Sequence, residues 1–192
     1  MKRLLIPILM MMSLTCLSAH EKGYEFRGEI YGFAGLTDYL TTSGGISITN
    51  GYRITERLFV GAGAGFEISK SIYKYVDVGD SYSYAPQRMI PVFASIKYNM
   101  GRKAASPFVL IDAGWTFHVG KDEEKKALYG LLFNPRVGVD VGMVKGYGLF
   151  AAVGPRFQNI HYRHLTAGKG DWIVDHRSEF LTMVCLHIGI RF

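Results

Sequence analysis

The chain has 192 residues, a formal net charge of +6, 23 glycines, 14% aromatic residues, six prolines and two cysteines. That length suits one domain, and glycine and aromatics at this level with so little proline suit a many-stranded β protein better than a disordered or helical one. Beyond the first twenty residues no apolar run approaches the ~20 residues of a membrane-spanning helix.

Lys2 and Arg3 precede an apolar run from Leu4 to Leu17, and the small residues Ser18 and Ala19 precede His20 and Glu21. This is the layout of a secretory signal peptide over residues 1–19. A membrane anchor would need a longer run than this one, which also contains Pro7. A lipidated Cys16 is a weaker reading, because "SLTC" has Ser at the usual leucine position and Thr where Gly or Ala is wanted. Cleavage near Ala19 leaves one domain over residues 20–192, with 20 basic against 16 acidic residues and Cys185 as its one cysteine. An excess that small does not point to nucleic acid, and a single cysteine gives no intramolecular disulfide.

Period-two segments then follow one another, separated by turn residues. "YEFRGEIYGFAGL" sets Tyr24, Phe26, Ile30, Ala34 and Leu36 against Glu25, Arg27 and Glu29; "GISITNGYRI" sets Ile46, Ile48 and Tyr52 against Ser47, Thr49 and Arg53. "LFVGAGAGFEIS" puts Leu58, Val60, Ala62, Ala64, Phe66 and Ile68 opposite Gly61, Gly63, Gly65, Glu67 and Ser69. "MIPVFASIKYNM", "PFVLIDAGWTFHV", "LLFNPRVGVDVGMV" and "YGLFAAVGPRFQNI" continue the pattern, and "SEFLTMVCLHIGIRF" completes eight strands. Helical periodicity does not compete over any comparable length. The fold class is therefore all-β, an eight-stranded antiparallel up-and-down barrel, either lipocalin-like with its apolar face inward around a ligand or transmembrane with that face outward.

Three features choose the outward orientation. The polar face carries Glu25, Arg27, Glu29, Arg53, Glu67, Lys97, Asp112, Arg136, Asp140, Arg156 and Arg191, interleaved with Gly61, Gly63, Gly65, Gly114, Gly138, Gly142, Gly154 and Gly189. Ions of both signs beside glycines suit a narrow lumen, where each charge needs a partner and bulky chains need small neighbours. On the apolar face Tyr24, Tyr52, Trp115, Phe117, Tyr129, Tyr147 and Phe192 fall toward strand ends, as in the aromatic girdles of a membrane barrel. Short connections at "TER", "GRKAAS" and "KG" alternate with longer polar ones over 71–87, 120–127 and 161–177, as periplasmic turns alternate with external loops.

On these residues the chain resembles the small outer-membrane β-barrel domains of OmpA/OmpX-like proteins, and "NGYRITERLFVGAGAGFE" and "GRKAASPFVLIDAGW" are similar to stretches of outer-membrane barrels common in Bacteroidetes. The resemblance covers everything after the signal peptide. It implies location in the outer membrane of a Gram-negative bacterium, after secretion through the inner membrane. It also implies contact with outer-membrane lipid and lipopolysaccharide, and recognition by the outer-membrane assembly machinery of a final strand ending in Phe192. It fixes architecture better than activity.

An eight-stranded barrel is just wide enough to be filled by side chains, so the expected function is a closed, polar-filled wall protein with a structural role or a surface interaction through its loops, porin-like in architecture and without catalysis, cofactor or metal. The alternative is a lipid A-modifying enzyme, by acyl transfer or deacylation. It would need a nucleophile, a base and an orienting carboxylate among Ser71, Ser81, Ser83, His161, His164, His176, Asp171 and Asp175. The His-x-Ser motif of lipid A deacylases is matched only by "HYR" at 161–163, with no serine. The histidines of "HYRH" stand three apart, which suits a helical turn better than a strand as a metal site. "GAGAG" lacks the register of a phosphate loop.

Lipopolysaccharide phosphates have Lys70, Lys74, Arg88, Lys121, Lys125, Lys126, Arg163, Lys169 and Arg177 to meet, nearly balanced by Asp77, Asp80, Asp122, Glu123, Glu124, Asp171, Asp175 and Glu179. Tyr73, Tyr75, Tyr82, Tyr84 and Trp172 offer rigid contact area to a surface ligand.

Overall fold

The computed structural model describes the backbone of residues 22–36, 40–74, 81–83, 87–101, 105–119, 130–142, 147–167 and 172–192, and their side chains except at 40–41, 70–74, 81–83, 87, 160–167 and 172–179. Nine strands are seen among these residues: β1 (Gly23–Gly35), β2 (Leu40–Arg53), β3 (Leu58–Lys74), β4 (Ser81–Ser83), β5 (Gln87–Asn99), β6 (Ala105–His118), β7 (Gly130–Gly142), β8 (Gly148–Ala167) and β9 (Trp172–Arg191). Every strand pairs antiparallel with its neighbours, β9 with β1 and β2 with β3, so eight strands close a barrel. The three-residue β4 only pairs with the end of β3, past its last partner on β5. Closure leaves the wall no free edge.

The strands form because apolar, often β-branched residues alternate with polar ones, and closing the sheet assigns each set to a side. Followed across the wall from Phe26, directly opposed residues run Asn50, Ala62, Ala94, Ala113, Phe133, Phe157 and Thr182. The Leu36 amide donates to the Thr182 carbonyl, so the path returns to the first strand ten residues above its start, from 26 to 36. That stagger requires strands tilted to the barrel axis. At the rim where β1 begins and β9 ends, Phe26 and Phe192 exchange backbone hydrogen bonds of 3.1 and 2.8 Å.

All eight expected segments lie on wall strands, and the orientation is as expected: Val184, Leu186 and Ile188 are 42, 56 and 52% exposed on the outside. The lipocalin-like alternative, with those residues around a cavity, is thereby overturned. Tyr24, Tyr52, Trp115, Phe117 and Tyr147 are exposed on the outer face, while Tyr129 lies outside the described residues. Two rows of rings result. Near the terminal rim Tyr24 meets Tyr52 edge-on and Tyr147 meets Phe192, both at 5.3 Å; toward the other rim Phe133, Phe157 and Phe180 stack at 6.2 and 6.0 Å.

The loop expectation needs correction. The backbone of the 161–177 stretch is mostly strand: the β8–β9 ladder continues through His161↔Ser178 to Ala167↔Trp172, a two-stranded ribbon past the last β7 and β1 partners. Leu165, Thr166, Ile173 and Val174 continue a strand-forming composition there, which the polar residues between them masked. β3 likewise runs to Lys74, into the stretch read as a connection.

Candidate functional site

The most chemically loaded region is the lumen. The eleven charged residues assigned to the inner face are all buried, with Glu67 and Lys97 at 0% exposure. Five carboxylates (Glu25, Glu29, Glu67, Asp112 and Asp140) face six cations (Arg27, Arg53, Lys97, Arg136, Arg156 and Arg191). Buried ions are tolerable only when paired and hydrogen-bonded, and here they form three tiers.

Nearest the terminal rim, Glu25 accepts from Arg53 through both Nε and Nη2, and Arg53 Nη1 also reaches the Glu56 carbonyl at 3.1 Å. Asp140 is bracketed by Lys97 Nζ at 2.5 Å and Arg191 Nε at 2.7 Å, on its two oxygens. Above this, Arg136 joins Glu29 at 2.7 Å to Asp112, with Ser47 donating to Glu29 at 3.0 Å and His187 Nδ1 lying 3.3 Å from it. In the third tier Arg156 meets Glu67 at 2.9 Å, Ser43 donates to Glu67 at 3.2 Å, and Arg156 Nη2 donates to Gln158 at 2.8 Å.

β3 and β8 stand diametrically opposite in the closed strand order. The Glu67–Arg156 pair therefore crosses the whole lumen at that level. Glu29–Arg136 also reaches across the lumen, from β1 to β7, over a sequence separation of 107 residues.

Sequence reasoning missed the aromatic part of the filling. Phe33, Phe59, Phe93, Phe108 and Phe150 are buried on the inner face, and the cations lie over them: Arg27 over Phe59 at 4.5 Å, Lys97 over Phe108 at 4.4 Å and Arg156 over Phe33 at 4.4 Å. Such contacts stabilise by about 0.5–2 kcal/mol, more when water is excluded. The signal lay in cross-strand register. Phe93 stands opposite both Gly63 and Gly114, Phe108 opposite Gly138, and Phe150 opposite Gly189. A Cβ added at Gly63, Gly138 or Gly189 would sit 2.6, 2.6 or 2.3 Å from the facing ring. The inner glycines are thus the recesses that admit the rings.

Chemically, this arrangement neutralises and packs. Ser47 and His187 both lean on Glu29, making a carboxylate the hub rather than pairing a nucleophile with a base. Among the described residues no cluster of three His, Cys, Asp or Glu side chains is placed to hold a metal. The lipid A-directed candidates fall on the projecting part: the register sets His164 opposite Asp175 and His161 opposite Ser178. The side chains of His161, His164, His176, Asp175, Ser71, Ser81 and Ser83 lie outside those described, as does Asp171 altogether. The same holds for the rim cations and anions other than Arg88, and for Tyr73, Tyr75, Tyr82, Tyr84 and Trp172.

The likeness of this chain to known proteins lies in its structure. No family model matches the chain, and no curated protein does. Solved structures do. The outer membrane protein OprG from Pseudomonas aeruginosa superposes with a TM-score of 0.60 at 13% identity, covering 92% of this chain and 99% of that one. Neisserial surface protein A gives 0.50 at 16% identity, over 88% and 96%. At such identities the likeness is one of fold: an eight-stranded antiparallel barrel of the kind found in these outer-membrane proteins.

Proposed function

We propose that this protein is an integral outer-membrane β-barrel, OmpA/OmpX-like in the broad sense, whose lumen is a closed ionic and aromatic filling and whose work is structural or carried by its outward loops. The observation that carries this reading is the Glu67–Arg156 pair between diametrically opposite strands, backed by an outer face made almost wholly of exposed Ile, Val, Leu, Ala and aromatic residues. An apolar surface of that extent needs an apolar solvent. Its height fits one as well. Tyr147, just before β8, and Phe157 on it are ten residues apart, about 33 Å along a strand and about 25 Å in height at a tilt of ~40°, matching the apolar band of outer-membrane barrels.

In that setting the rim where β1 begins and β9 ends faces the periplasm and the β8–β9 ribbon projects outward. Lipid and lipopolysaccharide surround the belt, β9 is the strand that assembly machinery engages before it closes against β1, and a surface ligand meets the loops. Catalysis is no part of this reading, which the mutual pairing of the lumen charges among the described residues supports.

Fractionation tests it. The expected result is recovery in the outer-membrane pellet after a carbonate wash, with migration on a gel that changes on boiling. A protein that dissolves as a monomer without detergent refutes it. Comparing lipid A from cells with and without the protein by mass spectrometry tests the non-catalytic part, and a difference in acyl-chain number would overturn that part alone.

A further inference from the structure

Antiparallel strands exchange two backbone hydrogen bonds at every second residue pair. Between β7 and β8 this ladder runs Leu132↔Gln158, Phe133↔Phe157, then stops, and resumes at Val137↔Val153. The register is the same on both sides of the break, so no residue has been inserted and no bulge formed. At the centre of the break Pro135 stands directly opposite Pro155. Proline has no N–H. Since the pairs two residues away on either side are kept, this is a hydrogen-bonding site at which both bonds are lost, and the pairs at 134/156 and 136/154 lapse with them.

The wall contains its own control. Between β3 and β5 the ladder stops after Ala64↔Val92 and resumes at Glu67↔Met89, with Pro91 opposite Gly65. There only one partner is proline, so one bond of two is lost and a shorter gap results. The Pro91 ring is fully buried and lies over Gly65, 3.2 Å from where a Cβ would be.

Among the described residues no lumenal side-chain pair joins β7 directly to β8 at the double-proline level; Asn134 of β7 reaches past β8 to His187 of β9 at 3.4 Å. Arg136 spends its ion pairs on Glu29 of β1 and Asp112 of β6, and Arg156 on Glu67 of β3. The Nε atoms of both guanidinium groups are buried without an acceptor beside the break. What holds the strands together there is contact: a Cβ at Gly154 would fall 2.1 Å from the Pro135 carbonyl oxygen, so only glycine admits that approach. Above the break the Phe133–Phe157 stack clamps the outer face.

We propose that the β7–β8 seam at Pro135 and Pro155 is a built-in line of local opening, where these two strands part before any other neighbouring pair of the wall. Such an excursion breaks no direct β7–β8 ion pair, because Arg136 and Arg156 are paired with β1, β6 and β3; the lumen contacts that reach over β8, Arg136–Glu29, Asn134–His187 and Asp140–Arg191, limit how far the seam parts.

Residue-resolved amide exchange of the full barrel in lipid nanodiscs tests this. The amides of Phe133, Val137, Val153 and Phe157 are expected to exchange about tenfold or more faster than those crossing the β1–β2 and β1–β9 ladders at the same height, with the β3–β5 ladder near Pro91 in between. The double replacement Pro135→Val with Pro155→Val restores both donors and is expected to slow the four amides by a similar factor while leaving β1–β9 unchanged. Equal protection across all eight ladders in the native protein overturns the proposal, as does a folded double variant whose four amides remain as fast as before. Should the double variant not fold, the ranking of ladders in the native chain decides by itself.

Discussion

At the scale of single residues, the lumen is a set of charges none of which can be removed without orphaning another. Arg136 holds Glu29 and Asp112 together in a site from which water is almost wholly excluded. Arg136→Ala is expected to cost about 3–5 kcal/mol, because two buried carboxylates lose their counter-charge; Arg136 and Glu29 replaced together by Met and Leu should recover only part of that loss, since Asp112 still lacks its counter-charge. Urea unfolding in lipid vesicles, monitored by gel shift, measures both. Gly138→Val drives a side chain into the Phe108 ring and the neighbouring backbone, with an expected cost of about 1–3 kcal/mol from overpacking. Gly138→Val combined with Phe108→Ala should be milder than Gly138→Val alone, and a more severe double variant would refute the ring-and-recess pairing. The charged half of this filling was legible in the sequence, since Glu, Arg, Lys and Asp recur on one parity of the strands. The aromatic half was not. Phe93, Phe108 and Phe150 share the parity of the charges but the hydrophobic character of the outer face, and the facing glycines Gly63, Gly138 and Gly189, known once register is known, show where such rings are received.

At the scale of elements, alternation decided nearly everything about the wall, because a period of two fixes which side a residue takes as soon as one residue is assigned. It failed at the β8–β9 hairpin. Beyond the wall both ribbon faces meet the same surroundings, so the apolar-polar contrast that reveals a strand fades, and His161 to Arg177 read as a loop although the backbone stays paired. On β9 Leu186 lies midway between Phe180 and Phe192, on the outer face. Leu186→Arg is expected to destabilise the folded barrel by about 2–4 kcal/mol, the cost of a cation at the bilayer midplane. The same replacement at Tyr24, on the ring row beside the terminal rim, should cost no more than about 1 kcal/mol. Equal effects in vesicle unfolding would argue against the proposed depth of insertion.

At the scale of the molecule, the Glu67–Arg156 pair joins opposite strands across the lumen, and on the proposed reading it closes the lumen at that level. Planar bilayers containing purified protein should therefore remain without large, stable, ion-selective conductance steps, and their appearance would refute the closed lumen. The barrel architecture could be read from eight alternating segments with short turns between them. Its mode of closure could not, since the ten-residue stagger depends on which residue opposes which around a full circuit.

The cross-lumen pairs also bear on how such a wall comes into being. Glu29 belongs to the first strand and its counter-ion Arg136 to a strand contributed more than a hundred residues later. A hairpin entering hydrocarbon early would carry Arg27 and Glu29 with no distant partner to quench them. On the proposed membrane reading, insertion by successive hairpins is thereby penalised, and the inner charges act as a coincidence detector, rewarding the state in which the later strands have already gathered.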